Sequence, residues 1–258
     1  MARGCELKGT AKRILRRIPG VTGALQAYSF WRQWFHLRRF KSTQDLFTSY
    51  FRNNEWGCAE SLSGPGSTIA FTETVRKGIE DLIGQLVVRI ILDAPCGDYN
   101  WFRLIPREEN VHYVGGDIVE PLIERNRSLY GTNNTAFVKL DITRDRLPGA
   151  DMWLCRDCLP HFSYKHIFQT IHNFLRSEIP FLLTSTSTEC TENTDMPTGS
   201  FRALNLELPP FDFCKPLLYI DDWIEGQPVR KLGLWEKQAL THALAANKRL
   251  QQSDRNCP

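Results

Sequence analysis

The sequence predicts an α/β protein built on a doubly wound, mostly parallel seven-stranded sheet with an antiparallel closing strand. Three observations predict it. Helical and strand-like patterns alternate between residues 72 and 187. The strand-like runs there are short and continuously apolar, as strands covered on both faces are. Two further runs, at 216–222 and 229–237, stand close enough together to pair.

In chain order, the segment FTETVRKGIEDLIGQL places Val75, Ile79, Leu82, Ile83 and Leu86 at helical spacing, with Thr72 and Glu73 at its start. VRIILDAP (88–95) follows as a buried strand, VHYVGGD (111–117) as a strand and VEPLIERNRSLYG (119–131) as a helix ended by Gly131. TAFVKLD (135–141) and ADMWLCRD (150–157) are strands. SYKHIFQTIHNFLRS (163–177) is a helix with Ile167, Ile171, Phe174 and Leu175 on one face, and FLLTSTS (181–187) is a strand. PLLYIDD (216–222) and VRKLGLWEK (229–237) make the closing pair, joined across Gly226 and Pro228, and a helix-like tail runs from 236 to 251. Between 188 and 215 lies a polar, Pro-rich connection long enough to imply a function.

Composition places few limits beyond this. A chain of 258 residues with 42% hydrophobic and 24% charged residues is globular, and no apolar run approaches the roughly 20 residues of a spanning helix. The net charge of +3 conceals a split. Residues 1–41 carry ten Lys or Arg and one acid, or +9; the remainder carries 22 against 28, or −6. The expected organisation is a basic N-terminal helical arm over 1–49 and a single domain over 50–258. The arm interleaves Lys and Arg with Ile, Leu, Trp and Phe. That pattern suits peripheral contact with an anionic membrane surface, a packing arm with a solvated basic face or, least favoured, nucleic acid. Pro19, Gly20 and Gly23 interrupt its apolar residues, so no secretory signal is expected, and eight sparse cysteines fit reduced thiols in a cytoplasmic protein. The C-x-x-C of Cys155 and Cys158 has no second half, which favours packing over a zinc or redox site.

Ligands of doubly wound sheets bind beyond the carboxyl ends of the strands, so the strand-end residues are the candidates for chemistry. The first strand ends in DAPCGDYNW, where Gly97 lets backbone approach a ligand; Tyr99 and Phe102 replace the further glycines a dinucleotide site needs, which counts against a nicotinamide cofactor. The second strand ends at Asp117, 24 residues beyond Asp93, where an acid can accept hydrogen bonds from two ribose hydroxyls. The third ends at Asp141 and Ile142, a carboxylate and an apolar residue suited to the edge and face of an adenine. Singly, each acid could equally cap a helix or be solvated. Three in register at successive strand ends favour the ligand reading.

The words DAPCGDYNW, GGDIVEPLIERN, LDIT and LCRDCLPHFS resemble the class I S-adenosylmethionine-dependent methyltransferases and their Rossmann-like fold. More narrowly, with NEWGCAESLSGPGST (54–68) and NLELPPFDF (205–213), the chain resembles a family of small bacterial-type methyltransferases associated with polysaccharide biosynthesis, over about residues 50–237. The resemblance implies S-adenosyl-L-methionine as cofactor. It places Asp93, Ala94 and Gly97 against the methionine part, Asp117 on the ribose, and Ile118, Asp141 and Ile142 on the adenine. The chain departs from the general pattern at Tyr99, where a glycine is usual.

Methyl transfer from a sulfonium is an in-line displacement, and an alcohol acceptor must also lose a proton, so a positioned base helps. CRDCLPHFS supplies His161 and Asp157 as candidate bases, with Arg156 beside them as a cofactor contact. His161 could equally cap the next helix, and Asp157 could orient His161 or meet Glu189 or Glu192 at a metal, although no clustered carboxylates mark one. The segment 54–68 suits a flap. Trp56, Ser63 and Gly64 are its candidate cofactor contacts and Glu60 an acceptor contact, joined by Arg202, Asn205 and Glu207 from the long connection. Those polar groups, with Phe201, Phe211 and Phe213, suit a sugar. The expected function is thus methylation of a hydroxyl on a sugar or glycan intermediate. The rivals are a nitrogen or RNA methyltransferase using the basic arm, and a cofactor-binding scaffold without turnover.

Overall fold

The computed structural model describes Leu37 and residues 39–245. The basic segment read as a membrane-facing or packing arm falls almost wholly outside the described residues. The chain divides into two units at 41/42, and the second, from Ser42 onward, contains the sheet.

The sheet has seven strands in the order β3-β2-β1-β4-β5-β7-β6. They are β1 (Ile90–Asp93), β2 (His112–Asp117), β3 (Thr135–Lys139), β4 (Met152–Cys155), β5 (Phe181–Thr186), β6 (Leu218–Asp221) and β7 (Lys231–Glu236). The first five are mutually parallel, and β7 runs antiparallel between β5 and β6. This is the doubly wound sheet with an antiparallel closing strand that the alternation of patterns predicts. The strand order reverses between β1 and β4, which opens a crevice at their carboxyl ends.

The apolar runs are continuous because successive residues serve opposite faces. Leu92, Trp153 and Leu182 enter one core cluster, and their neighbours Ile91, Met152 and Leu183 enter the other. Helix α2 (Glu73–Gln85) covers the second face with Val75, Ile79, Leu82 and Ile83, and it lies so close to β6 that a Cβ at Gly78 would collide with Ile220. Helices α3 (Glu120–Tyr130) and α4 (Tyr164–Arg176) return the chain between parallel strands, and α5 (Lys237–Ala245) packs Leu240 and Leu244 behind β7. Ser163 caps α4 by accepting the His166 amide, and the Gly131 amide closes α3 on the Arg127 carbonyl.

A helix that sequence patterning had not delimited, α1 (Thr43–Asn53), precedes the flap. Ser42 caps it, and Leu46 and Tyr50 are buried against the domain. It runs through position 49/50, where the arm was expected to end, because its apolar face belongs to the same unit as the sheet.

Candidate functional site

A cavity of about 840 Å3 opens above the β1–β4 crevice. Of the residues expected at a site, Trp56, Ser63, Gly64, Asp93, Gly97, Asp117, Ile118, Asp141, Ile142, Arg156, Asp157, His161 and Arg202 line it. Four do not. Ala94 is buried beneath the loop, its amide bonded to the Leu154 carbonyl. Glu60 accepts the Ile69 amide and the Asn100 side chain and so ties the flap together. Asn205 organises its own loop through the Cys190 carbonyl and the Glu207 amide, and Glu207 pairs with the Tyr219 hydroxyl. Phe211 and Phe213, expected to face a sugar, pack instead against Tyr164, Phe168 and Trp235 in the core.

One end of the cavity is a cradle of buried acceptors. Asp93, at the end of β1, receives the Tyr113 hydroxyl at 2.7 Å, and burial pushes its carboxyl up to about 7 against the pull of Tyr113 and Arg156. Asp117, at the end of β2, accepts the Gly97 amide at 3.1 Å and the Val119 amide at 3.0 Å. Burial, only partly offset by these bonds, raises it to about 6. Asp141 is occupied by its own turn, taking the Thr143 amide and hydroxyl and the Arg144 guanidinium. Gly97 adopts φ +56°, and a Cβ there would collide with the Ser63 hydroxyl, so the flap lies directly on the glycine. In their ionised form these carboxylates only accept, so a ligand that engages them so must present donors: hydroxyls, amines or a cation. S-adenosylmethionine offers all three.

The flap is fastened by a residue that sequence reasoning missed. The Asp98 carboxylate accepts the Ser61 hydroxyl at 3.0 Å and the Leu62 amide at 2.7 Å, and the Asp98 amide donates to Ser63 Oγ. Its position two residues beyond Cys96 in DAPCGD was the available signal. On the other side Arg156 donates to the Gly66 carbonyl at 2.6 Å.

The opposite end of the cavity holds the charged groups after β4. Arg156 is 3% exposed and grips Asp222 through Nε and Nη2, the shortest contact being 2.7 Å. Arg230 joins the same carboxylate at 2.9 Å and reaches Asp157 at 2.5 Å. Arg156, expected to touch cofactor, is thus largely committed to the fold, and its partner Asp222 and the Arg230 that shares it come from the β6–β7 connection, too distant in sequence to be associated with it. Asp157 stands at φ +53°. Burial acts to raise its carboxyl, but Arg230, His161 and Arg156 outweigh it and hold it at about 2. It is ionised and a poor base.

His161, in the turn Leu159–His161, differs. Its Nδ1 lies 2.9 Å from the Ser200 carbonyl. A carbonyl only accepts, so Nδ1 carries the proton and Nε2 a lone pair. Burial lowers the imidazole more than the charge of Asp157 raises it. The ring is flanked by Trp56 at 4.8 Å and Phe201 at 5.2 Å. Among the described residues, no group of three or more His, Cys, Asp or Glu side chains is arranged to hold a metal ion, and Cys155 and Cys158 are buried free thiols.

Solved structures share this architecture. PigF with SAH matches with a TM-score of 0.55 at 14% identity, over 81% of this chain and 70% of that one. The fold is one that solved methyltransferases share. Burkholderia thailandensis 1,6-didemethyltoxoflavin-N1-methyltransferase, bound to 1,6-didemethyltoxoflavin and S-adenosylhomocysteine, matches with a TM-score of 0.52 at 12% identity, over 80% of this chain and 89% of that one. Magnesium protoporphyrin IX methyltransferase from Synechocystis PCC 6803, with bound SAM, matches with a TM-score of 0.51 at 14% identity, over 76% of this chain and 97% of that one. No family model and no curated protein matches the sequence. Among the described residues, no helix is long and apolar enough to cross a membrane.

Proposed function

We propose that the protein is an S-adenosylmethionine-dependent methyltransferase acting on a hydroxyl, with His161 as the base. The observation that carries the reading is the Nδ1–H bond of His161 to the Ser200 carbonyl, which leaves Nε2 unprotonated on a side chain that lines the cavity. A neutral imidazole so held can take a hydroxyl proton as oxygen attacks the methyl carbon, and such a base contributes roughly 100- to 10,000-fold. Asp157, ionised and paired with Arg230, stabilises the imidazolium that results.

Asp93, Asp117, Gly97 and the flap residues Ser63 and Gly64 would hold the cofactor, and Ile118 and Ile142 would face its base. Trp56 and Phe201, on either side of His161, suit a ring that carries hydroxyls at its edge and C–H groups on its face. A sugar or glycan intermediate has that chemistry, which supports the carbohydrate reading. The +9 charge of residues 1–41 supports placement of the enzyme at an anionic membrane surface.

Isothermal titration with S-adenosylhomocysteine tests the assignment of the two ends. Asp117→Ala is expected to weaken binding by about 10- to 100-fold through loss of charged hydrogen bonds, and His161→Ala by no more than about threefold. The reverse order would mean that the ends are exchanged, and no saturable binding to folded protein would sink the methyltransferase reading.

A further inference from the structure

The carbonyls of Pro160, His161 and Phe162 are all bonded by residues 199–202. The Gly199 amide donates to the His161 carbonyl at 2.8 Å, and the Arg202 amide to the Pro160 carbonyl at 3.2 Å. Arg202 Nη1 donates to the Pro160 carbonyl at 3.3 Å and to the Phe162 carbonyl at 2.7 Å, the residues on either side of His161. The imidazole returns one bond, from Nδ1 to the Ser200 carbonyl.

Arg202 is an unusual group to find there. It is 9% exposed, its guanidinium lies 5.4 Å from the centre of the Tyr164 ring, and its Nε and Nη2 are closed off from water without hydrogen-bond partners. Among the described residues no carboxylate pairs with it, whereas Arg156 and Arg230 share Asp222 and Asp157. A buried, unpaired cation is costly, and a fold that keeps one gains something from it. Contact with an acceptor is not the gain, since Nη1 is spent on two carbonyls and the other nitrogens face no open space.

We propose that Arg202 is the positioning residue for His161, fixing the turn on both sides of the imidazole so that Nδ1 meets the Ser200 carbonyl and Nε2 meets the acceptor. The inference rests on the reading of His161 as the base. The charge has a second effect. The charged groups that face the ring are Asp157, after β4, Arg230, from the β6–β7 connection, and Arg202. Burial lowers the imidazole, Asp157 opposes this, and both arginines reinforce it. Arg202 thereby disfavours the imidazolium before a proton has been taken from the acceptor, while its hydrogen bonds dictate which nitrogen is free.

Long-range 1H–15N spectra of the full-length labelled chain, with His161 assigned by His161→Gln, read both effects without an acceptor. The wild-type ring is expected to be neutral at pH 7 with its proton on Nδ1. Arg202→Met is expected to shift the His161 titration upward and to mix the two tautomers. Arg202→Lys, which keeps the charge but lacks the planar, fixed Nη1 group whose two hydrogens reach both carbonyls, is expected to keep the low titration and lose the single tautomer. A wild-type ring that is charged at pH 7 or protonated on Nε2 overturns the proposal, as does a wild-type tautomer in Arg202→Lys or a wild-type titration in folded Arg202→Met. If Arg202→Met fails to fold, the wild type and Arg202→Lys still decide. Titration of S-adenosylhomocysteine into the same samples separates this from the methyltransferase reading: expected spectra without binding would retain the positioning role and remove the activity, and binding with unaltered spectra in both variants would do the opposite.

Discussion

Arg156, after β4, and Asp222, after β6, are joined by a buried fork of hydrogen bonds whose shortest member is 2.7 Å. The residues are 66 positions apart in sequence, and their bond locks the closing hairpin to the strand end that carries the candidate chemistry. The same carboxylate receives Arg230, which in turn holds Asp157.

Asp222→Asn is therefore expected to cost about 3–5 kcal/mol, because it leaves the buried Arg156 guanidinium without a counter-ion and Arg230 with Asp157 alone. In a domain of this size that corresponds to a fall in melting temperature on the order of 10 °C. A thermal unfolding curve within about 2 °C of wild type would show that the network is not holding the hairpin.

Asp98→Ala is expected to release the flap without unfolding the sheet. The Ser61 hydroxyl and Leu62 amide lose their acceptor, so limited proteolysis should cut within residues 60–67 faster than in the wild type. Affinity for S-adenosylhomocysteine should fall by about tenfold, the worth of one charged hydrogen bond. Unchanged cleavage in that segment would show that Glu60 and Arg156 fasten the flap without Asp98.

The raised carboxyls give stability a definite pH dependence. Asp93 is held at about 7 and Asp117 at about 6 by burial, whereas both ionise near pH 4 in an unfolded chain. Between about pH 4 and pH 7 the folded protein keeps protons that the unfolded chain has released. The stability these groups contribute is therefore full below about pH 4 and is lost as the pH rises through 6 to 7. Asp93→Asn cannot ionise, so its urea midpoint should gain on that of the wild type between pH 5 and pH 8. Parallel pH profiles for the two proteins would remove Asp93 as a source of the dependence.

Val87 ends α2 in the left-handed region, at φ +52°, and is 64% exposed. Its amide and that of Val88 close the helix on the Gly84 and Ile83 carbonyls, a termination that favours glycine and strains a β-branched residue. Val87→Gly is expected to stabilise the domain by about 1 kcal/mol, and Val87→Ala, which keeps a Cβ, by clearly less. Chemical denaturation of the three proteins decides it.

The sheet and the donor-accepting cradle were legible in the sequence because both depend on local signals. Apolar runs such as IILD and MWLC mark strands, and an acid at a strand end is placed by the strand itself. The acceptor side was legible only in part. His161 and Trp56, the latter expected against the cofactor, line the cavity side by side, but Asn205 and Glu207 were assigned from composition, and in an irregular connection nothing local fixes which way a polar side chain points. Asp222 and Arg230 were missed for the complementary reason: each looks like an ordinary residue of a closing hairpin until the fold brings it against the end of β4. Helix α1 escaped because Ser42 and Leu46 adjoin a strongly basic segment whose charge dominated the reading.

The antiparallel insertion of β7 between β5 and β6 also bears on the order in which the domain can be completed during synthesis. A nascent chain that has emerged only as far as β5 already has the five parallel strands and the acids of the cradle, but neither Asp222 nor Arg230 has yet left the ribosome. Arg156 and Asp157, after β4 and one strand in from the open β5 edge, are then without their counter-ions. Docking of the hairpin seals that edge and neutralises those charges together, which makes the last strands to be translated the ones that turn a folded sheet into a finished pocket.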